Sequence, residues 1–177
     1  MGKVNISEQY NKWGDNMDLY SSGLFGFFAA FFGFVILYGF IAYIVGAIGL
    51  KRMADKLRVE NSWLAFIPLA NAYLIGRVAG DRLDLFGYQI ENLGLILLAG
   101  SALSGLISGI PIIGFLLIIA FSVISFAALY KIYLMFVPNS AMLYLILSIV
   151  LAFIAPFLLY AASLKDPIIE DSYIELE

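Results

Sequence analysis

Three stretches without a single charged side chain constrain this chain more than any other feature: residues 19–50 (32 residues), 92–130 (39 residues) and 132–164 (33 residues). Each is longer than the ~18–20 apolar residues that cross a hydrocarbon core about 30 Å thick. In that core backbone N–H and C=O groups find no water, so they must pair within the chain, and a helix satisfies this within one segment. The fold class expected is an all-α integral membrane protein. Composition agrees, since 63% of the residues are hydrophobic and 13% charged, whereas soluble domains hold roughly 45–50% and about 25%.

The same composition removes whole classes of chemistry. The chain has no Cys and no His, which excludes disulfide frameworks, thiol redox, cysteine nucleophiles, thiolate or imidazole metal sites and Ser-His-Asp triads. No cofactor and no metal site is expected. The net charge of -3 supplies no basic field for a polyanion, so nucleic acid is not an expected partner. Every Asp and Glu lies in the terminal regions or between residues 51 and 91, leaving no intramembrane carboxylate pair for acid-base catalysis. No enzyme activity is expected.

Along the chain, residues 1–20 carry Lys3, Glu8, Lys12, Asp15 and Asp18, unlike the basic start and cleaved apolar core of a signal peptide. Within them Ile6, Tyr10, Trp13, Met17 and Tyr20 recur at steps of three and four, which predicts an amphipathic helix over 6–20 lying in the membrane interface. Residues 21–165 are expected to form a single four-helix membrane domain, and residues 166–177 an acidic tail. A 39-residue helix would be about 58 Å long, roughly twice the hydrocarbon thickness, so the second run must break. Gly109-Ile110-Pro111 supplies a turn, and Pro138-Asn139-Ser140 a second one. The spans expected are therefore near 21–50, 90–109, 111–136 and 140–163.

With four spans, the loop over 51–91 holds Lys51, Arg52, Lys56, Arg58, Arg77 and Arg82, with Lys131 near the same side, against Lys3, Lys12 and Lys165 on the other. Basic residues collect on the cytoplasmic side of a cell membrane, so the central loop is expected to be cytoplasmic and both termini outside. Residues 61–76 are uncharged, but this 16-residue stretch contains Pro68 and is short for a span. Residues 61–79 are therefore expected as a re-entrant or interfacial segment.

Three features are candidates for function. In the second span Gly100, Ser104 and Ser108 form one row of small residues and Ser101, Gly105 and Gly109 the adjacent one, a face that lets another helix approach closely and receive hydroxyl hydrogen bonds. Ala29 with Gly33 and Ala42 with Gly46 repeat the spacing in the first span. Lys131 is the single charge between two long uncharged runs. It lies seven residues before Pro138, about 10 Å of helix rise, so its ammonium group is within reach of the interface as an anchor. In the central segment Pro68 frees a backbone carbonyl that the Asn71 amide can bond, while Trp63 and Tyr73 suit headgroup depth. This describes a plug packed under the bundle or, more sharply, a platform on which Asn71 and Arg77 receive a partner or lipid headgroup.

The run Trp63-Leu64-Ala65-Phe66-Ile67-Pro68-Leu69-Ala70-Asn71-Ala72-Tyr73, followed by Gly76-Arg77 and Ala79-Gly80, resembles a family of uncharacterised small multi-pass bacterial membrane proteins marked by Trp-x3-Ile-Pro-x2-Asn-x-Tyr. Ala128-Leu129-Tyr130-Lys131 and Pro156-Phe157-Leu158-Leu159-Tyr160 extend the resemblance over roughly residues 45–165. The family has no established activity to carry over. The function expected is thus that of a non-catalytic membrane protein that packs against itself or a membrane-protein partner as an accessory subunit, scaffold or regulator, in contact with the lipid bilayer. The alternative is a small-solute or ion transporter or channel using Lys131 and the Ser-rich helix faces.

Overall fold

The structure is a computed structural model that describes the backbone over residues 6–85, 87–107 and 111–168, and side chains over 23–85, 87–104 and 114–168. It is mostly helical. Helix α1 spans Ile6–Lys56, and a 3₁₀ turn, Ser62–Phe66, leads into α2 at Pro68–Val78. An antiparallel hairpin of β1 (Arg82–Leu85) and β2 (Tyr88–Glu91) precedes α3 (Leu93–Ile107), α4 (Pro111–Phe136), α5 (Ala141–Val150) and α6 (Ala155–Ser163). Two compact units are distinguished, Met1–Ile41 and Ala42–Glu177.

Helix α1 carries no break at residue 20, so the helix expected over 6–20 is the first part of a 51-residue helix that also contains the first span. Interior glycines such as Gly14 and Gly23 cost a helix ~1 kcal/mol each relative to Ala and weaken it without ending it. In the first unit the side chains of residues 23–37 are all exposed, with Phe25 at 81% and Phe34 at 68%. Gly33 has nothing within 4 Å of where a Cβ would stand. The Ala29 and Gly33 pair is exposed, while Ala42 and Gly46, in the second unit, are buried.

Among the described residues two helices are long and apolar enough to cross a membrane, Gly23–Lys56 and Gly114–Phe136, which fits a membrane protein. The other two expected spans take different forms. The second begins late, at Leu93, because residues 82–91 are spent on the hairpin; its 15 residues rise only about 22 Å. The fourth is not one helix: Pro138–Val150 and Ala152–Ser163 meet at 116°. Pro156, in the first turn of α6, has no N–H for the carbonyl four residues back, and its ring clashes there, so a continuous helix through 151–155 is forbidden while a new start is favoured. Pro111 opens α4 in the same way, and the 3₁₀ turn Pro138–Ser140 separates α4 from α5 as its sequence predicts.

The core of the second unit is made by Leu50 and Met53 of α1, Leu74 of α2, Leu93 and Leu97 of α3, and Ile132 and Tyr133 of α4, all fully buried. Each aliphatic side chain of this size removed from water contributes ~1.5–3 kcal/mol. They come from the last turns of α1 and α4 and the first turns of α3, so the packing concentrates at the end that holds the central segment. Helix α2 packs most extensively on α3. There a Cβ on Gly76 would stand 2.6 Å from the Leu93 carbonyl carbon, and one on Gly94 would stand 2.9 Å from the Tyr73 carbonyl oxygen. A second close crossing joins α1 to α6, where a Cβ on Gly49 would stand 2.8 Å from Tyr160 Cα.

Residues 165–168 lie at this same end. Lys56 Nζ donates to the Lys165 carbonyl at 2.6 Å and pairs with Asp166 at 3.0 Å, and the Ile168 N–H donates to the Met135 carbonyl at 2.8 Å. The expectation that the central loop and the start of the C-terminal tail occupy opposite ends is therefore corrected: the bend between α5 and α6 turns the chain back to where α5 began.

Candidate functional site

The central segment is organised by the hydrogen bonds that a proline-initiated helix leaves to be made. Pro68 sits at the start of α2, where its missing N–H costs nothing, and the Asn71 N–H closes the first helical bond onto the Ile67 carbonyl at 2.7 Å. The carbonyl of Ala65, whose residue is completely buried, would otherwise be orphaned. Asn71 Nδ2 donates to it at 2.9 Å, and the Tyr43 hydroxyl makes a longer bond at 3.4 Å. The amide singled out from sequence is thus engaged with the segment's own backbone.

Asp81 closes the other end of α2. With its backbone in the left-handed region at φ 57°, a conformation Asp tolerates better than most residues, it turns both acceptors toward the start of α3. Its carbonyl receives the Leu93 N–H at 3.0 Å and its Oδ1 receives the Gly94 N–H at 2.9 Å, so one residue satisfies two of the four orphan amides of α3 from across the hairpin. Arg77 Nη1 holds the second carboxylate oxygen at 2.9 Å. Sequence reading singled out Arg77 and not Asp81, because a cap reaching back 13 residues leaves no local signature.

Lys131 Nζ donates to the carbonyl of Arg82 in β1 at 2.7 Å. Its reach is toward the hairpin, whose strand β1 it ties to α4. Trp63 is 57% exposed, and Phe66, Ile67 and Leu69 beside it are exposed too, while Tyr73 lies against the backbone of Gly94.

Of the small-residue rows on α3, Gly100 meets the ring of Phe121 in α4. Ser104 Oγ donates to the Gly100 carbonyl at 2.6 Å and Ser101 Oγ to the Leu98 carbonyl at 2.8 Å. These hydroxyls are spent within their own helix instead of bonding across to another, as serines in helices commonly do. Gly105 is in α3, but its surroundings, like Ser108 and Gly109, lie outside the described residues. Two apolar clefts flank Phe121: one of about 300 Å³ is lined by Gly100, Leu103, Ser104, Gly114 and Leu117 among others, and one of about 230 Å³ by Ala72, Ile75, Leu97, Ser101 and Ser125. Among the described residues their walls offer no titratable group.

Sequence reading also missed two polar contacts of the fold. Tyr133 Oη and Ser148 Oγ are 3.0 Å apart in the interior, and Tyr144 meets the Tyr133 ring edge-on at 5.4 Å. Arg52 lies over the ring of Tyr160, with its guanidinium carbon 5.3 Å from the centroid. Past the first span Lys51 and Asp55 pair one helical turn apart at 2.6 Å, whereas Lys56 pairs with Asp166 at 3.0 Å. Among the described residues no three His, Cys, Asp or Glu side chains come together as metal ligands would.

No protein-family model, no curated protein and no solved structure matches this chain.

Proposed function

We propose that the chain is a multi-pass membrane protein that acts by packing, as an accessory subunit, scaffold or regulator, and that α1 is the element presented to a second copy or to another membrane protein. The observation that carries this reading is the state of the polar side chains. Asn71 bonds Ala65, Arg77 bonds Asp81, Lys131 bonds Arg82, and Ser101 and Ser104 bond their own helix. Groups that would act on a substrate are occupied in holding the fold, whereas the helical face over residues 23–37 is exposed all round and rich in Phe. Association of helices in lipid is driven by such packing and not by burial from water.

The transporter alternative draws on one observation, the broken helix pair α5 and α6, since discontinuous helices build transport sites. It is the weaker reading, because Lys131 and the serines are engaged as above.

The topology that accompanies the proposal has α1, α3 and α4 crossing the cell membrane and α5 with α6 entering and returning. The central loop, Lys131, Lys165 and residues 166–168 then share the cytoplasmic side, and the N-terminus lies outside. Eight basic residues stand on the inner side against Lys3 and Lys12, a steeper bias than four spans give. Because the chain has no Cys, single cysteines at Ser7, Glu60 and Asp166 need no prior removal of native thiols. An impermeant maleimide applied to intact cells should label position 7 and spare 60 and 166; labelling of 166 alongside 7 would restore a fourth crossing. A photo-crosslinking residue at Phe31 tests the packing itself. A discrete protein adduct is expected, and recovery of lipid adducts alone from a monomeric protein would remove the proposal.

A further inference from the structure

The facet formed by Trp63, Phe66, Ile67 and Leu69 has a definite depth. Ser62 follows the charged last turns of α1 by six residues, while the Ala65 carbonyl receives the hydroxyl of Tyr43, eight residues before Lys51, where the uncharged run ends. The segment is thus bracketed between the charged end of α1 and its last uncharged turns, the level at which hydrocarbon gives way to headgroups. Its four apolar side chains are exposed, whereas Ala65 and Leu74 are buried.

Two further features suit this place. First, backbone groups of the segment are paired within the chain: the Leu64 N–H bonds the Asn61 carbonyl, the Ile67 N–H bonds the Leu64 carbonyl, and the Asn71 amide covers the Ala65 carbonyl. A surface loop in water has no need of this, while a segment at the edge of a hydrocarbon phase does. Second, the loop that carries it begins at Arg58, an exposed residue five positions before Trp63 that makes no ion pair among the described residues, unlike Lys51, Lys56 and Arg77. An exposed guanidinium five positions from an aromatic interfacial anchor in sequence is suited to bidentate contact with phosphate oxygens.

We propose that residues 58–69 form a lipid-recognition site in which Trp63, Phe66, Ile67 and Leu69 enter the boundary of the inner leaflet and Arg58 holds the headgroup of an anionic glycerophospholipid. The site rests on the membrane placement proposed above and adds to it a ligand class and the residue that selects it.

The chain has two Trp, Trp13 and Trp63, so Trp13→Phe leaves Trp63 as the sole emitter. This full-length protein is reconstituted into vesicles of phosphatidylcholine with a minor fraction of phosphatidylglycerol, one of the two lipids carrying brominated chains. Brominated lipid is expected to quench Trp63, more strongly per mole when the bromine is on the anionic species. Arg58→Gln should lower that anionic preference about fivefold, the weight of one basic residue at an anionic surface, with quenching by the neutral lipid unchanged. Arg58→Lys should retain most of it. Resistance to carbonate extraction is measured in parallel and reports the membrane placement separately. A carbonate-resistant protein whose Trp63 is quenched by aqueous iodide and not by lipid overturns the lipid site alone. Shielding from both quenchers overturns it in favour of a protein occupant, and loss from the membrane on carbonate treatment overturns both readings.

Discussion

Replacement of Asp81 by Ala offers the most direct test of how the central segment is held. The perturbation removes the acceptor for the Gly94 N–H, removes the partner of Arg77, and places Ala in a left-handed conformation at φ 57°. Loss of an N-cap acceptor costs ~1 kcal/mol within a range of 0.5–2. The ion pair has side chains 41% and 27% exposed, so it adds ~0.5 kcal/mol after screening. Ala visits the left-handed region less readily than Asp, at a further cost of about 1 kcal/mol. The expected total is ~2–3 kcal/mol. Asp81→Asn keeps an oxygen for Gly94 and a side chain at ease in the left-handed region, so it should cost ~0.5–1 kcal/mol. Arg77→Gln removes only the ion pair and should cost ~0.5 kcal/mol. The assay is reversible unfolding in mixed micelles with rising SDS, read by far-ultraviolet circular dichroism, together with hydrogen exchange at the Gly94 amide. That amide should lose protection in Asp81→Ala and keep it in Arg77→Gln. Equal destabilisation by Asp81→Ala and Arg77→Gln would refute the remote cap and leave a plain ion pair, and an unchanged Gly94 amide in Asp81→Ala would refute it outright.

Other perturbations follow from the same contacts. Gly76→Val drives side-chain atoms into the α3 backbone at Gly94 and Leu93, and should cost at least ~3 kcal/mol in the same unfolding assay. Gly33→Val, with nothing within 4 Å, should leave that midpoint nearly unchanged. Asn71→Leu leaves the buried Ala65 carbonyl with only the 3.4 Å bond from Tyr43, an expected loss of ~1–3 kcal/mol, and adding Tyr43→Phe should deepen it. Lys131→Met frees the Arg82 carbonyl; the stability change should stay within ~1 kcal/mol, but amides of β1 and β2 should exchange measurably faster.

The apolar runs made the helices legible in sequence, and the prolines explain most of their ends. Pro111 and Pro138 were read as breaks because each stands beside Gly or Asn. Pro156 stands among Ala, Ile and Phe with no such company, and its power to end α5 was hidden by an uninterrupted hydropathy signal. The hairpin was written as alternation in Arg82-Leu83-Asp84-Leu85 and in Tyr88-Gln89-Ile90-Glu91, a period of two that is easily lost between long helices in strands of four residues. In the candidate site, the Asn71 amide was foreseen as a partner for a carbonyl near Pro68, since that pairing is local. Asp81 with Gly94 and Lys56 with Asp166 are long-range consequences of how helices turn back, and no spacing in the sequence announces them.

The way Asp81 joins α2 to α3 also bears on the order in which the protein folds. The contacts that hold α2, the hairpin and α3 to one another lie within residues 68–107, and contacts of such short sequence separation close fast. Lys131 reaches the Arg82 carbonyl from 49 residues away, across a longer loop whose closure costs more entropy. Asp81 is thus expected to cap α3 first, and Lys131 to fasten afterwards to a strand whose register is already set.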